Sequence, residues 1–253
     1  MKPQTFFMTL LYLGLAGAVL VLGHYGFALV AAVLVTVPVL IQWIRSGRSR
    51  NALVGAIPPV MVGLSVVILV GLSKPPIGQP VFPVSTQVVL AALYGTWLIW
   101  LTQIRNAGQA NWLIAGILQV TTTMAIFLAS AFWHWPSAMV IAVVWGASFV
   151  IAWWYLSEVG ERAAAILAAT WALVTAELSW ILAAWQVNYI LYDGLMIVPQ
   201  ATIIILGVGY CFASIYHSHS TKRLSRRRLI EYSVIAGVLL AIIIAGTRWN
   251  GTL

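Results

Sequence analysis

Charged residues are scarce in this sequence, since they make up 7% of its 253 residues and only five of them are acidic. Soluble domains carry roughly 25% charged and 45–50% apolar residues, whereas 62% of the residues here are hydrophobic. A folded chain of this size cannot hide so much apolar surface from water, so the excess must face lipid. The composition therefore excludes a soluble enzyme, a disordered tail and a free nucleic-acid-binding protein.

Cysteine is almost absent, and so are the sequence motifs of well-known chemistry. The single cysteine, Cys211, excludes an intrachain disulfide. There is no phosphate-binding loop, no glycine-rich dinucleotide turn and no His-Glu-x-x-His sequence. The three lysines lie outside the apolar stretches, which excludes a retinal Schiff base, and the four histidines lie at their ends or turns. The sequence thus assigns no catalytic residue, no metal ligand and no cofactor.

Long apolar stretches are abundant, and the mean hydropathy of the chain is +0.99. A helix that crosses the ~30 Å hydrocarbon layer needs about 20 mostly apolar residues. Nine stretches meet this requirement, at about residues 5–22, 27–44, 53–72, 86–104, 113–133, 138–156, 163–185, 195–216 and 230–247. Because these runs are continuous, they indicate helices rather than the alternating strands of a β-barrel. The predicted fold is an all-α polytopic transmembrane bundle of about nine spans, a single domain over residues 1–253 without a soluble domain.

The positions of lysine and arginine predict how the chain is threaded. With the N-terminus in the cytoplasm, only Lys74 and Arg248 fall on the outer side. The other eleven basic residues fall on the inner side: Lys2, Arg45, Arg48, Arg50, Arg105, Arg162, Lys222, Arg223, Arg226, Arg227 and Arg228. Because cytoplasmic loops are enriched in lysine and arginine, this split predicts a cytoplasmic N-terminus and an external C-terminus. We expect an integral protein of a bacterial or archaeal plasma membrane, that is, the cell inner membrane.

The first apolar stretch is open to two interpretations. Its Ala16-Gly17-Ala18 sequence resembles a signal-peptide cleavage site, yet the apolar run continues through Val19, Leu20, Val21 and Leu22. We expect an uncleaved anchor, and a cleaved signal peptide is the alternative. The topology of the later spans is the same in both cases.

Glu177 is the only acidic residue deep within an apolar stretch. Counted from Ala163, it lies roughly 21 Å along a helix. A carboxyl group at that depth costs about 2.5–3.5 kcal/mol in lipid, so we expect it to face protein or water. It is either a proton-coupling or cation-binding group, or a protonated acid that forms hydrogen bonds between helices. The predicted internal face of its helix consists of Thr170, Leu173, Val174, Glu177, Trp180, Ile181 and Ala184.

Gln200 is the predicted partner of Glu177. It follows Pro199 on the returning helix and lies about 9 Å below the outer edge if that span begins at Leu195, which is nearly the depth of Glu177. Pro199 also frees a backbone carbonyl near this level. The candidate polar intramembrane site consists of Glu177, Gln200, Thr202, Ser179, Thr175 and Thr170.

A second group of polar residues, Gln119 to Thr123, lies in another apolar stretch. Threonine hydroxyls bond to carbonyls of their own helix, and glutamine bonds across helices, so these residues are expected to join helices or simply to be tolerated. A substrate path is the alternative. Five tryptophans lie deeper in the apolar stretches: Trp97, Trp100, Trp145, Trp171 and Trp180. They either pack against other helices and acyl chains, which we expect, or line a pocket for a pigment, a quinone or a lipid.

Two polar connections are predicted to face the cytoplasm. The turn from Ser157 to Arg162 is interpreted as a solvated cap, in which Glu158 and Arg162 form an ion pair if the segment is helical. The second connection, residues 217–228, is rich in arginine. We expect its basic residues to contact anionic lipid headgroups at the cytoplasmic face, namely Lys222, Arg223, Arg226, Arg227 and Arg228.

Three functions remain open from the sequence. The leading hypothesis is a non-catalytic membrane subunit that packs with lipid or with another membrane protein. We expect no nucleic-acid partner. The alternative is a proton-coupled transporter of a small solute, in which Glu177 exchanges the proton. The third hypothesis, an intramembrane lipid-modifying enzyme, lacks the paired carboxylates or the metal cluster that such chemistry needs. The sequence therefore leans away from an enzyme.

Overall fold

The computed structural model describes residues 50–72, 89–90, 92–97, 100, 111–184, 187–191, 196–220 and 226–246. The predicted spans 5–22 and 27–44 lie outside these residues, and the span 86–104 lies partly outside them. Six long helices are described: α1 (Arg50–Leu72), α2 (Asn111–Trp133), α3 (Ser137–Glu158), α4 (Ala164–Ala184), α5 (Gln200–Ser220) and α6 (Arg226–Gly246). The all-α prediction is thus confirmed for the described part of the chain, apart from one short hairpin.

Helices α2, α3 and α4 are long and apolar enough to cross a membrane. Their 23, 22 and 21 residues rise by roughly 31–35 Å, which exceeds the ~30 Å hydrocarbon layer. The other long helices contain shorter apolar stretches, at Ile57–Leu72, Gln200–Tyr216 and Ile230–Leu239. The described residues therefore provide three candidate membrane spans, while the count of nine spans and the orientation stay predictions.

A two-stranded hairpin connects α4 to α5. Strand β1 (Asn188–Leu191) pairs antiparallel with β2 (Met196–Pro199), and Tyr189 lies opposite Val198. β-Branched and aromatic residues such as Tyr189, Ile197 and Val198 favour strands. Strand β2 ends at Pro199, which has no N–H to donate to a further pair of the sheet. Helix α5 consequently begins at Gln200, so the prediction that this span begins at Leu195 is wrong.

Helix α2 lies at the centre of the described bundle. It packs against α1, α3, α5 and β2, and 67% of its apolar window is buried, compared with 33% for α3 and 39% for α4. Leu118, Phe127 and Leu128 are fully buried on it. Because a helix buried on all sides meets protein rather than lipid, its polar side chains need partners on neighbouring helices.

Polar side chains of α2 find those partners on both of its neighbours. The hydroxyl groups of Thr122 and of Ser65 on α1 form a hydrogen bond of 3.2 Å. On the other side, Gln119 Nε2 donates to the hydroxyl oxygen of Ser148 on α3 at 3.4 Å. Thr123 instead donates to the carbonyl of Gln119 within its own helix, at 2.6 Å. The interpretation of this group as residues that join helices is therefore confirmed for Gln119 and Thr122.

The turn between α3 and α4 depends on a glycine. Gly160 has a φ of +80°, the left-handed conformation that commonly ends helices. Its N–H donates to the carbonyl of Ser157 at 3.1 Å, and the N–H of Glu161 donates to the carbonyl of Leu156 at 2.9 Å. These two bonds satisfy carbonyls that a helix end leaves unpaired. Because α3 ends at Glu158, the helical spacing required for the predicted pair with Arg162 does not exist.

We predict that Gly160→Ala destabilises the protein by about 1–2 kcal/mol, because L-residues are strained at this φ. No neighbouring atom lies within 4 Å of the added methyl group, so the cost is conformational. Gly146→Ala is the matched control: Gly146 lies inside α3, and a methyl group there also meets nothing within 4 Å. This control should leave stability unchanged or raise it by up to ~1 kcal/mol. Thermal unfolding in detergent measures both, and equal midpoints for the two variants would contradict the assignment.

Candidate functional site

Helix α4 has an inner face that packs mainly on α3, and small side chains occupy it. Ala168 and Ala172 are fully buried, as are the polar residues Thr175 and Ser179. Thr175 Oγ1 donates to the carbonyl of Ala172 at 2.9 Å, and Ser179 Oγ donates to the carbonyl of Thr175 at 2.6 Å. Both hydroxyl groups are therefore satisfied by their own helix and need no ligand.

The opposite face of α4 is exposed in the part of the chain that the structure describes. Leu173 is 56% exposed, Trp180 is 65% exposed and Ile181 is 48% exposed. Thr170, Glu177 and Ala184 are exposed on the same face, and Val174 is half-buried beside it. The predicted internal face is thus the outer face, and that prediction is wrong. The reason is that α4 is apolar all round, so its hydrophobicity does not indicate which face turns inward.

Glu177 lies near the middle of a candidate span. It is seven residues from Ala184, about 10 Å from that end of α4, and about 20 Å from the other end at Ala164. Within the ranges that the structure describes, no side chain donates a hydrogen bond to its carboxyl group. Its neighbours on the same face are the large apolar side chains of Leu173, Trp180 and Ile181. The structure therefore presents an acidic group in the middle of an apolar outer surface.

Gln200 and Thr202 lie at a different level from Glu177. Both are buried at the start of α5, where the N–H of Gln200 donates to the carbonyl of Val187 at 2.8 Å. Leu182, near the end of α4, packs in the same cluster as Ala201. Gln200 is thus level with the end of α4, about 10 Å from Glu177 along the helix axis. The prediction that Gln200 and Glu177 share one depth is wrong, because α5 begins later than Leu195.

The six predicted polar residues consequently fall into three separate places. Thr170 and Glu177 lie on the outer face of α4, and Thr170 donates to the carbonyl of Ile166 at 3.0 Å. Thr175 and Ser179 lie on its inner face. Gln200 and Thr202 lie beside the hairpin, where Thr202 Oγ1 is buried without a hydrogen-bond partner among the described residues. The structure does not gather these residues into one site.

Glu161 and Tyr216 form a contact that the sequence did not reveal. The Tyr216 hydroxyl donates to the carboxylate of Glu161, which also accepts from the N–H of Ala163 at 3.1 Å. These bonds, the one from Tyr216 first, hold the pKa of the Glu161 carboxyl below its ordinary value. The contact ties the α3–α4 turn to α5 across 55 residues of sequence. The only signal was a tyrosine near the end of an apolar stretch.

The basic segment is described only in part. Lys222 and Arg223 lie outside the described residues, as does the side chain of Arg228. Arg226 and Arg227 are exposed in the first turn of α6. Their exposure is compatible with contact to lipid headgroups, and that contact stays a prediction.

Two buried tryptophans have unpaired donors. Trp97 is 7% exposed and Trp154 is 3% exposed, and both belong to one apolar cluster between α1, α2 and α3. The indole N–H of each has no hydrogen-bond partner within the described ranges. Trp171 packs on Phe212 instead, with ring centroids 5.5 Å apart, while Trp145 is 45% exposed.

The chemistry available to these residues is hydrogen bonding and ion pairing. Glu161 lies in the turn before α4 and Glu177 about 20 Å along that helix, so these two carboxyl groups cannot act on one substrate. The described residues contain no cluster of three or more histidine, cysteine, aspartate or glutamate side chains that could hold a metal. No protein-family model, curated protein or solved structure matches this chain. What the site does must therefore be argued from its geometry.

The Glu161–Tyr216 contact predicts a pH-dependent stability. Since the folded pKa of Glu161 is lowered, the contact stabilises the protein above the ordinary value of 4.5 and is lost as the pH falls through the folded value. Tyr216→Phe should lower the midpoint of thermal unfolding at pH 7, and the difference from wild type should shrink below pH 4.5. Tyr210→Phe, on an exposed part of the same helix, is the control and should change little. A difference that persists undiminished at acidic pH would refute the linkage.

Proposed function

We propose that this chain is a non-catalytic subunit of a membrane protein assembly, and that the outer face of α4 binds a helix of another membrane protein. The observation that carries this proposal is the position of Glu177, about two-thirds of the way along a candidate span and on the exposed side of it. A carboxyl group that faces acyl chains at that depth costs about 2.5–3.5 kcal/mol. Contact with a partner helix removes that cost.

The surroundings of Glu177 suit a helix–helix contact. Ala165, Ala169, Leu173, Glu177 and Ile181 recur every four residues, and all five are exposed, so they form one continuous ridge. The two alanines at one end let a second backbone approach closely. Beside the ridge, Trp180 is the kind of large exposed aromatic that dominates binding at interfaces.

The chemistry of the partner follows from charge. All 13 lysines and arginines of this chain lie outside its predicted spans, so a second copy brings another carboxyl group to the contact rather than a cation. A partner helix that carries a lysine or arginine at the depth of Glu177 complements it directly. We therefore infer a different membrane protein with an intramembrane basic residue.

The other two functions have less support in the geometry. A proton-coupled transporter requires Glu177 to line an interior path with Gln200, Thr202 and Ser179, whereas these residues lie on different faces and at different levels. An intramembrane enzyme requires polar groups that converge on one substrate. The buried polar pairs among the described residues, Ser65 with Thr122 and Gln119 with Ser148, bond to each other and join helices, which fits a subunit.

Lipid is the second partner in this proposal. The exposed Arg226 and Arg227 belong to the basic segment that also includes Lys222, Arg223 and Arg228. Each lysine or arginine close to an anionic membrane surface contributes about 1 kcal/mol of binding. We infer that this segment holds anionic headgroups at the cytoplasmic face of a bacterial or archaeal plasma membrane and fixes the predicted orientation.

Photo-crosslinking in native membranes tests the α4 interface. A photoreactive amino acid at Leu173, on the outer face, should yield one discrete protein product, and the same probe at Val143, exposed on α3, should not. Glu177→Lys should lower the yield at position 173 about tenfold, equivalent to about 1.4 kcal/mol, because it sets like charges against each other. Glu177→Gln should lower it less, since the amide still forms hydrogen bonds.

Mass spectrometry of the product decides between the partners. A product of the chain plus a protein with an intramembrane basic residue supports the proposal. A product of twice the chain mass would show that the partner is a second copy of this chain, which contradicts the inferred basic partner. Lipid adducts alone at both positions would show that the outer face of α4 contacts lipid and is no protein interface. Unchanged elution of each variant in detergent shows that the fold is intact.

A further inference from the structure

The two unpaired indole N–H groups lie in one apolar cluster. Helices α1, α2 and α3 contribute to it, together with Leu90, Tyr94, Trp97 and Trp100, and apart from Trp97, Trp154 and Tyr94 its buried members are aliphatic. Both indole nitrogens are buried and have no acceptor among the described residues. A buried donor without an acceptor is costly, and native proteins seldom leave one, so two in one cluster require an explanation.

The chemistry of the cluster restricts what can satisfy these donors. An indole N–H donates and never accepts. A water molecule would accept an indole hydrogen bond but bring two donors of its own, and the hydroxyl of Tyr94 is the one side-chain acceptor among the buried members of the cluster. A carbonyl oxygen accepts without donating. The cluster therefore favours an acceptor attached to an apolar body.

The position of the cluster agrees with such a molecule. Trp154 is four residues from the end of α3 at Glu158, about 6 Å along the axis. That end of α3 lies on the side where arginine-rich connections predict the cytoplasmic surface. Partly buried aromatic side chains, Trp100 and Trp153, pack against the same cluster. A membrane-soluble molecule with a carbonyl group near the headgroup level would reach it from the bilayer.

We propose that Trp97 and Trp154 bind the carbonyl oxygens of a membrane-soluble amphiphile through their indole N–H groups. The shared chemistry is a carbonyl on an apolar body, and the two sources are a quinone and the ester group of a phospholipid. This site is separate from the outer face of α4, so the proposal does not depend on the proposed subunit function.

The test uses the full chain in detergent with two probes, decylubiquinone and dioleoylphosphatidylglycerol. One or both should raise the unfolding midpoint of the wild-type protein in a saturable way, and the probe that does so identifies the source. Trp97→Phe and Trp154→Phe should each weaken binding of that probe about fivefold to tenfold. Trp145→Phe, at an exposed position of α3, is the matched control and should bind as the wild type does.

A second measurement separates a bound carbonyl from donors that are simply unsatisfied. Without probe, benzothienylalanine in place of either tryptophan should leave the protein at least as stable as wild type after lipid removal, because it keeps the ring shape and deletes an unsatisfied donor. If a phenylalanine variant fails to fold because of the cavity that it leaves, the benzothienylalanine variant takes its place in the binding test. Binding that stays within twofold of wild type in both variants, or no response to either probe, overturns the proposal.

Discussion

Hydrogen-bond satisfaction is the constraint on which the rest of this structure depends, because acyl chains offer neither donors nor acceptors. Most buried hydroxyl groups meet it locally: Thr123, Thr175 and Ser179 all donate to carbonyls of their own helices. Gln119 and Thr122 meet it across helices, and they tie α2 to both neighbours. The described residues whose polar groups lack a hydrogen-bond partner are informative, because acyl chains cannot supply one. Exposed Glu177 and the two buried indoles are groups to which the described residues offer no hydrogen-bond partner.

The positions of the helices were predictable because hydropathy and length fix them. The predicted spans 53–72, 113–133, 138–156 and 163–185 agree closely with α1 to α4, since about 20 apolar residues in lipid have little choice but a helix. Which face of a helix turns inward was not predictable in this way. Lipid and protein interior are equally apolar, so Leu173 on the outside and Leu182 on the inside look alike in sequence. Side-chain size does not distinguish the faces of α4 either, because Ala168 and Ala172 are buried while Ala165 and Ala169 are exposed.

Contacts between residues far apart in the chain could not be predicted from the sequence either. The sequence paired Arg162 with Glu158 by helical spacing, whereas the structure pairs Glu161 with Tyr216 in another helix, 55 residues away. The hairpin was missed because its second strand, Met196–Pro199, is as apolar as the helix that follows. A hydropathy window therefore merges the two. That error moved the expected start of α5 by five residues, and with it the level of Gln200.

These errors have one cause and lead to one conclusion about function. Apolar side chains do not indicate whether they face lipid or protein. A polar side chain in a span therefore gives most of the evidence about function, and its interpretation depends on the helix face on which it lies. Glu177 on an inner face would suggest proton transfer, because such a path needs partners on several helices. On the exposed face, with Trp180 and Ile181 beside it, the same carboxyl group is available to the helix contact that we propose. The orientation of α4, whose other face packs mainly on α3, therefore favours the proposed subunit over the transporter.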